Sequence, residues 1–406
     1  TANGVTSNVH VLNQYRLDYQ IIARTNQVLA AIDAVDFAAA SKNNLKGQAH
    51  FLRAYAYFEL VQYFGKVPLH LTPVTNRQEA ALPLATVDEV YVQIIKDASA
   101  AITGLLPKST QEAGRVTSGT ARMLLANVYM VRKNWAEAEK LLKEIVASNE
   151  YKLMPDFNDA FSTNTGNKNN AESIFEVQFQ EGASGYNGAI MYNYLPRPMS
   201  PDELRPISGT SNPQPLTGEG NGAPTPDLIA AFETGDKRKD GTIGTVTISG
   251  SLRADKTFPY NKKFAKAHSL HGNTGNNFPI YRYAEALLYL AEALTEQGKM
   301  AEALPFLNQV RLRAGLPDAT TTAQADLRKQ IYQDRRSELA FENKRWFDLV
   351  RTGTAIEVIT AYGNRVKANP VAYYYPEGAV ARSNAFTNIS LLYGMPADEA
   401  ALSPHF

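Results

Sequence analysis

The chain reads as mainly α-helical: a scaffold of tetratricopeptide-like helical hairpins carrying one large loop-rich insertion with short strands. Three observations predict this class. Apolar residues recur at helical spacing on both sides of the chain's middle, two distant segments repeat one hairpin pattern, and the stretch between them is too rich in glycine for long helices. The division that follows is a helical block over 1–155, an insertion over 156–279, and a second helical block over 280–406 that packs with the first.

In the first block the spacing predicts helices over Val9–Val35, Leu45–Phe64, Val87–Leu105, Ser118–Arg132 and Trp135–Ser148. The second of these is apolar on nearly every face from Phe51 to Phe64, so it should be packed on several sides. Gly65 and Pro68 end it. Its aromatic stripe, Phe51, Tyr55, Phe58 and Tyr63, therefore reads as core rather than as a sugar platform. Thr86 and Glu89 have capping-box spacing at the start of the third helix. The second block predicts Ile280–Gln297, Met300–Arg313, Ala323–Glu342 and a short helix near Trp346–Arg351.

The two blocks share a pattern. With Trp135 set against Met300, Leu125/Leu290, Ala126/Ala291, Ala136/Ala301, Glu137/Glu302, Ala138/Ala303 and Leu142/Leu307 are identical. Small residues at such places let antiparallel helices approach closely. Between the blocks, residues 160–280 hold 14 of the 26 glycines, which predicts loops, a strand over Ser173–Gln178 and a short helix over Pro226–Glu233 capped by Thr225. A stretch so long is rarely idle connection.

Composition removes several function classes. A net charge of +1, without a basic run, gives no footprint for nucleic acid. With no cysteine there is no thiol catalysis and no Cys-zinc site. His268 and His271 lack a neighbouring acidic ligand in sequence, Gly218, Gly220 and Gly222 do not sit between a strand and a helix, and no nucleophile elbow, Walker A or HExxH occurs. No metal or cofactor is expected. Thr1–His10 lacks the pattern of a signal peptide, so a preceding N-terminal portion is expected.

Five segments, in order, resemble the SusD/RagB family of outer-membrane nutrient-binding lipoproteins from Bacteroidetes. They are the buried helix ending in Phe64-Gly65-Lys66-Val67-Pro68, the Asp236-Lys237-Arg238 element, Phe278–Ala293 (FPIYRYAEALLYLAEA), Leu307–Leu316 (LNQVRLRAGL) and Asp334–Gly353 (DRRSELAFENKRWFDLVRTG). In the last, Asp334 stands for the usual Glu and Asn343 for the usual Gly. Met395-Pro396 and Ser403-Pro404 depart further, and the loop-rich middle is largely unmatched.

The resemblance implies a cell-surface lipoprotein, not an enzyme, that captures oligosaccharide or polysaccharide and passes it to a SusC-like TonB-dependent transporter. Its membrane attachment would be a lipid anchor outside this sequence. A peptide-binding member of the family and a non-catalytic helical-repeat adaptor remain alternatives, and a glycosidase would need two carboxylates facing a cleft.

The insertion offers the site chemistry: Tyr186, Tyr192, Tyr194 and Tyr260 interleave with Asn187, Asn193, Arg197 and Asn261. Flat rings suit pyranose faces, and amides and guanidinium suit hydroxyls. Ile331, Arg335, Glu338, Glu342 and Arg345 would share one helix face as a structural ion ladder, with Trp346 as an apolar lid. Arg282, Glu285 and Glu292 read as structural too.

Overall fold

The computed structural model describes residues 7–163, 167–218, 222–249, 256–382 and 384–405. Thr1–Thr6 and Gly220, both weighed above, lie outside the described residues. The chain divides into two units: one comprises residues up to Ile145, Leu349–Ile359 and the segment from Phe386 onward, the other Val146–Asp348 with Thr360–Ala385.

The first unit is built on helices α1 (Val9–Ala31), α2 (Ala39–Phe64), α3 (Val87–Gly104), α4 (Ser118–Val131) and α5 (Trp135–Ala147, whose last two residues belong to the second unit). Their ends fall close to the sequence expectation, except that α2 begins before Leu45. Helix α2 packs between α1 and α3. Phe51, Ala54, Ala56, Tyr57, Phe58 and Leu60 are at most 1% exposed, so the all-round apolar pattern does mark a central helix. Arg53 staples the three together: Nε and Nη2 donate to the two Asp97 oxygens at 2.8 and 2.7 Å, and Nη1 donates to Asn26 Oδ1 at 2.7 Å.

Asp18 on α1 gives this unit a pH dependence. It is buried, with the Gln14 amide donating to it at 2.9 Å. Burial pushes its carboxyl up to about 8, the Gln14 bond opposes that, and Glu59 adds to it. The folded protein therefore keeps a proton that the unfolded chain releases near pH 4, and stability falls as pH rises through that window toward 8. Asp18→Asn removes the penalty. We expect it to be more stable than wild type by about 1–3 kcal/mol at pH 8, with the gap closing by about pH 4, in denaturant titrations at the two pH values.

The second unit begins with strand β1 (Ser173–Val177), which pairs antiparallel with β4 (Phe278–Arg282). Helix α6 (Pro201–Ser208), α7 (Lys237–Thr242) and the hairpin of β2 (Ile243–Ile248) with β3 (Lys256–Asn261) occupy the glycine-rich middle. Then come α8 (Tyr283–Glu296), α9 (Met300–Arg313), α10 (Gln324–Glu338), α11 (Arg345–Arg351) and α12 (Ala355–Ala368), the last two shared with the first unit.

Three expectations are corrected. The Ile280–Gln297 helix starts only at Tyr283, because Phe278–Arg282 spends its backbone bonds on β1. The Ala323–Glu342 helix stops at Glu338, and the chain then turns through left-handed Phe341 (φ 67°) and Asn343 (φ 58°). The short helix after Thr225 also ends early, at Ile229.

The internal likeness has a structural counterpart. Ala126, Ala138, Ala291 and Ala303 are all fully buried. The turns joining α4 to α5 and α8 to α9 place a left-handed residue at the same point of each copy, Lys133 (φ 57°) and Gly298 (φ 75°).

Candidate functional site

The unexpected end of α10 builds a cleft of about 470 Å³ in the second unit. One wall is the turn and the start of α11, with Phe341, Asn343, Arg345 and Trp346. The other is the single helical turn Ile190–Asn193 followed by Tyr194, with Phe278 alongside. Helix α10 cannot continue because its C-terminal carbonyls are claimed elsewhere. Buried Lys263 donates to Glu338 O at 3.0 Å, Ala340 O at 2.9 Å and Glu342 Oε1 at 2.8 Å. Burial drives the Lys263 ammonium down to about 8, with Glu342 pulling the other way.

Beneath that turn lies a buried ion network. Arg282 Nε and Nη2 form a fork on Glu342 at 2.8 Å each, while Nη1 reaches Glu338 at 2.9 Å and also Glu172. Arg313 and Arg238 reach Glu338 as well, and Arg238 and Arg311 share Asp334. Burial alone would raise the Glu338 and Glu342 carboxyls, but the surrounding guanidiniums and Lys263 hold Glu338 well below the usual carboxylate range and Glu342 below it. The expected ladder is thus partly corrected. Arg335 and Glu338 do join buried ion pairs, and Glu342 joins from the turn rather than from the helix. Arg345 stands apart, exposed, and Trp346 lines the cleft instead of capping the ions.

The cleft presents groups without partners. Among the described residues, no hydrogen bond or ion pair engages the side chains of Asn193, Asn343, Arg345 or the Trp346 indole, and Trp346 makes no ring contact. Tyr194 is half-buried, its ring edge-to-face with Phe341 at 5.7 Å between centroids. Gly222 (φ 69°) packs on the same ring so closely that a Cβ there would sit 2.4 Å from it. Burial raises the Tyr194 phenol.

The other residues singled out from sequence do not all meet here. Tyr186 is 70% exposed, and Asn187 is half-buried close by in the chain. Tyr192 is buried: its hydroxyl donates to His268 Nε2 at 2.6 Å, since His268 Nδ1 faces the Lys266 carbonyl, and its ring lies 4.5 Å from His271. Arg197 spends its guanidinium on the Thr217 and Tyr192 carbonyls. Half-buried Tyr260 packs against the Tyr192 cluster and lies over Gly244 across the hairpin, and Asn261 is fully buried. So Asn193 and Tyr194 form a cleft wall, whereas Tyr192, Tyr260 and Asn261 build the loops behind it.

Sequence reasoning missed Phe341, Asn343, Arg345 and Trp346 as surface groups. The available signal was Asn343, a left-handed-tolerant residue inside an apparently unbroken helical pattern. The first unit has a larger cavity, of about 560 Å³, walled by Tyr15, Tyr19 and Ile22 of α1, residues of the 68–82 loop, and Glu399. It lacks a comparable set of free amides around an indole, so the cleft is the better candidate.

Comparison with known proteins agrees with this architecture. Residues 238–404 match the model of the SusD family, and residues 1–130 match one described as starch-binding associating with outer membrane. SusD-like protein P2 of Formosa agariphila is 27% identical over 387 residues, covering 86% of this chain and 73% of its own. A laminarin-binding SusD-like protein of known structure is 26% identical, covering 95% of this chain and 83% of its own, with a TM-score of 0.73. Surface glycan-binding protein A from Bacteroides uniformis is 28% identical over 84% of this chain and 74% of its own, with a TM-score of 0.71.

Proposed function

Because the chain belongs to the SusD/RagB family, we propose that it is a non-catalytic glycan-binding protein of the outer-membrane surface, gripping oligosaccharide in the Trp346 cleft. The observation that carries this reading is the convergence of an unstacked indole, a tyrosine ring and two free amides on one open groove. Pyranose faces pack on rings, while hydroxyls need donors and acceptors that are not already spent. Tyr186 and Asn187 are proposed as further contacts from the insertion loops, and Tyr192, Arg197, Tyr260 and Asn261 as their support. That structural relatives include a surface glycan-binding protein and a laminarin-binding protein supports the ligand class. Cargo would then pass to a SusC-like TonB-dependent transporter, with a lipid anchor N-terminal to this sequence holding the protein in the membrane.

The described cleft lining contains no carboxylate, so the paired acids of glycoside hydrolysis have no counterpart there. Binding should be weak. About 50 Å² buried per ring face at about 25 cal/mol/Å² gives roughly 1 kcal/mol per platform. Two or three platforms with a few hydrogen bonds reach about 4–5 kcal/mol, near millimolar affinity. A calorimetric panel of glycans and peptides tests this: we expect millimolar binding to one class of glycan without turnover. Binding only to peptides, or cleavage of a bound glycan, would overturn the reading.

A further inference from the structure

The cleft carries a positive charge that no hydrogen bond or ion pair engages among the described residues. Arg345 lines it, is exposed, and makes no hydrogen bond or ion pair among the described residues. Half-buried Arg336 and buried Arg335 are close enough to repel it, with Asp348 attracting it in part; Arg336 itself makes no hydrogen bond or ion pair among the described residues, though Asp227 attracts it. The nearby acids are already engaged. Asp348 is held by Arg335 through Nε at 3.2 Å and Nη2 at 3.0 Å, and Glu285 by Lys344 at 3.1 Å and Arg335 at 3.4 Å. Of these guanidiniums only Arg345 lines the cleft, and an anion bound there would supply the hydrogen-bond acceptors it lacks and offset the repulsion from its neighbours. A guanidinium fork fits a carboxylate or a sulfate ester in two-point geometry.

Resting on the glycan-binding reading of the same cleft, we infer that its preferred ligand is an anionic glycan, with Arg345 taking the carboxylate or sulfate of a sugar unit stacked on Trp346. The test is calorimetry with length-matched neutral β-glucan, polyuronate and sulfated galactan oligosaccharides, plus poly-glutamate, at 50 and 500 mM salt. At least one anionic glycan should bind about tenfold more tightly than the neutral chain at low salt, and high salt should erase most of that advantage. The uronate and sulfate arms distinguish the two sources of charge.

In Arg345→Gln the anionic-to-neutral affinity ratio should fall toward one, and Arg345→Lys should retain part of it. Equal affinities in the wild type, or a ratio that survives Arg345→Gln, would overturn the inference while leaving the glycan reading intact. Binding of no glycan at all would remove that reading and this inference with it. Saturable, Arg345-dependent binding of poly-glutamate alone would overturn both in favour of an acidic peptide.

Discussion

Replacing Arg282 by Met should cost the second unit about 3–5 kcal/mol, the expected penalty for leaving buried charge uncompensated. Arg282 sits at the centre of a network joining Arg238, Lys263, Arg282, Arg311 and Arg313 to Glu172, Glu233, Asp236, Asp334, Glu338 and Glu342. Its loss strips Glu342 of a two-point partner and leaves Glu338 and Glu172 with less compensation than their burial demands. For a unit of this size the drop in Tm should be on the order of 10 °C.

The same network predicts acid lability. Glu338 and Glu342 have carboxyls held below the ordinary range, so the stability they contribute is present above about pH 4.5 and lost as pH falls through their depressed values. Scanning calorimetry of wild type and Arg282→Met between pH 3 and 7 checks both points. The variant should unfold earlier at neutral pH, and the gap should narrow in acid. An unchanged Tm at pH 7 would mean that the network is not what holds the α10 turn in place.

Trp346→Ala should weaken glycan binding by about tenfold or more while changing stability little. The ring is half-buried and stacks on no other ring, so the protein loses little packing, but the ligand loses its largest apolar face. Tyr194→Ala should behave differently. Its ring is packed between Phe341 and Gly222, so truncation should lower both affinity and Tm. Matched affinity and melting data for the two variants separate a ligand platform from a structural ring.

Most of the scaffold was legible because helices announce themselves by period and caps. The capping box at Thr86 and Glu89 forms as its spacing implies, and Met300–Arg313 has the expected bounds. Strand β4 was hidden because its apolar residues run straight into α8 with no turn residue between them, so local pattern could not separate pairing from coiling. The end of α10 was hidden for a related reason. Arg and Glu keep helical spacing past Glu338, and only tertiary partners, Lys263 and Arg282, divert Glu342 from a fifth helical turn into the network.

The candidate cleft inherits that difficulty. It exists only because a helix stops early, and while the sequence around Trp346 reads as helix, Trp346 reads as a lid. Tyrosines in the insertion were visible as chemistry, but burial decided their roles. Tyr192 carries the same side chain as Tyr194 two residues on, yet its hydroxyl is spent on His268.

The most direct test uses the chain's only two tryptophans, Trp135 and Trp346. In a Trp135→Phe variant, all indole fluorescence comes from Trp346. Titration with a glycan that calorimetry shows to bind should shift that emission with the same saturation curve. Unchanged emission across a titration in which the glycan demonstrably binds would put the ligand elsewhere and contradict the account.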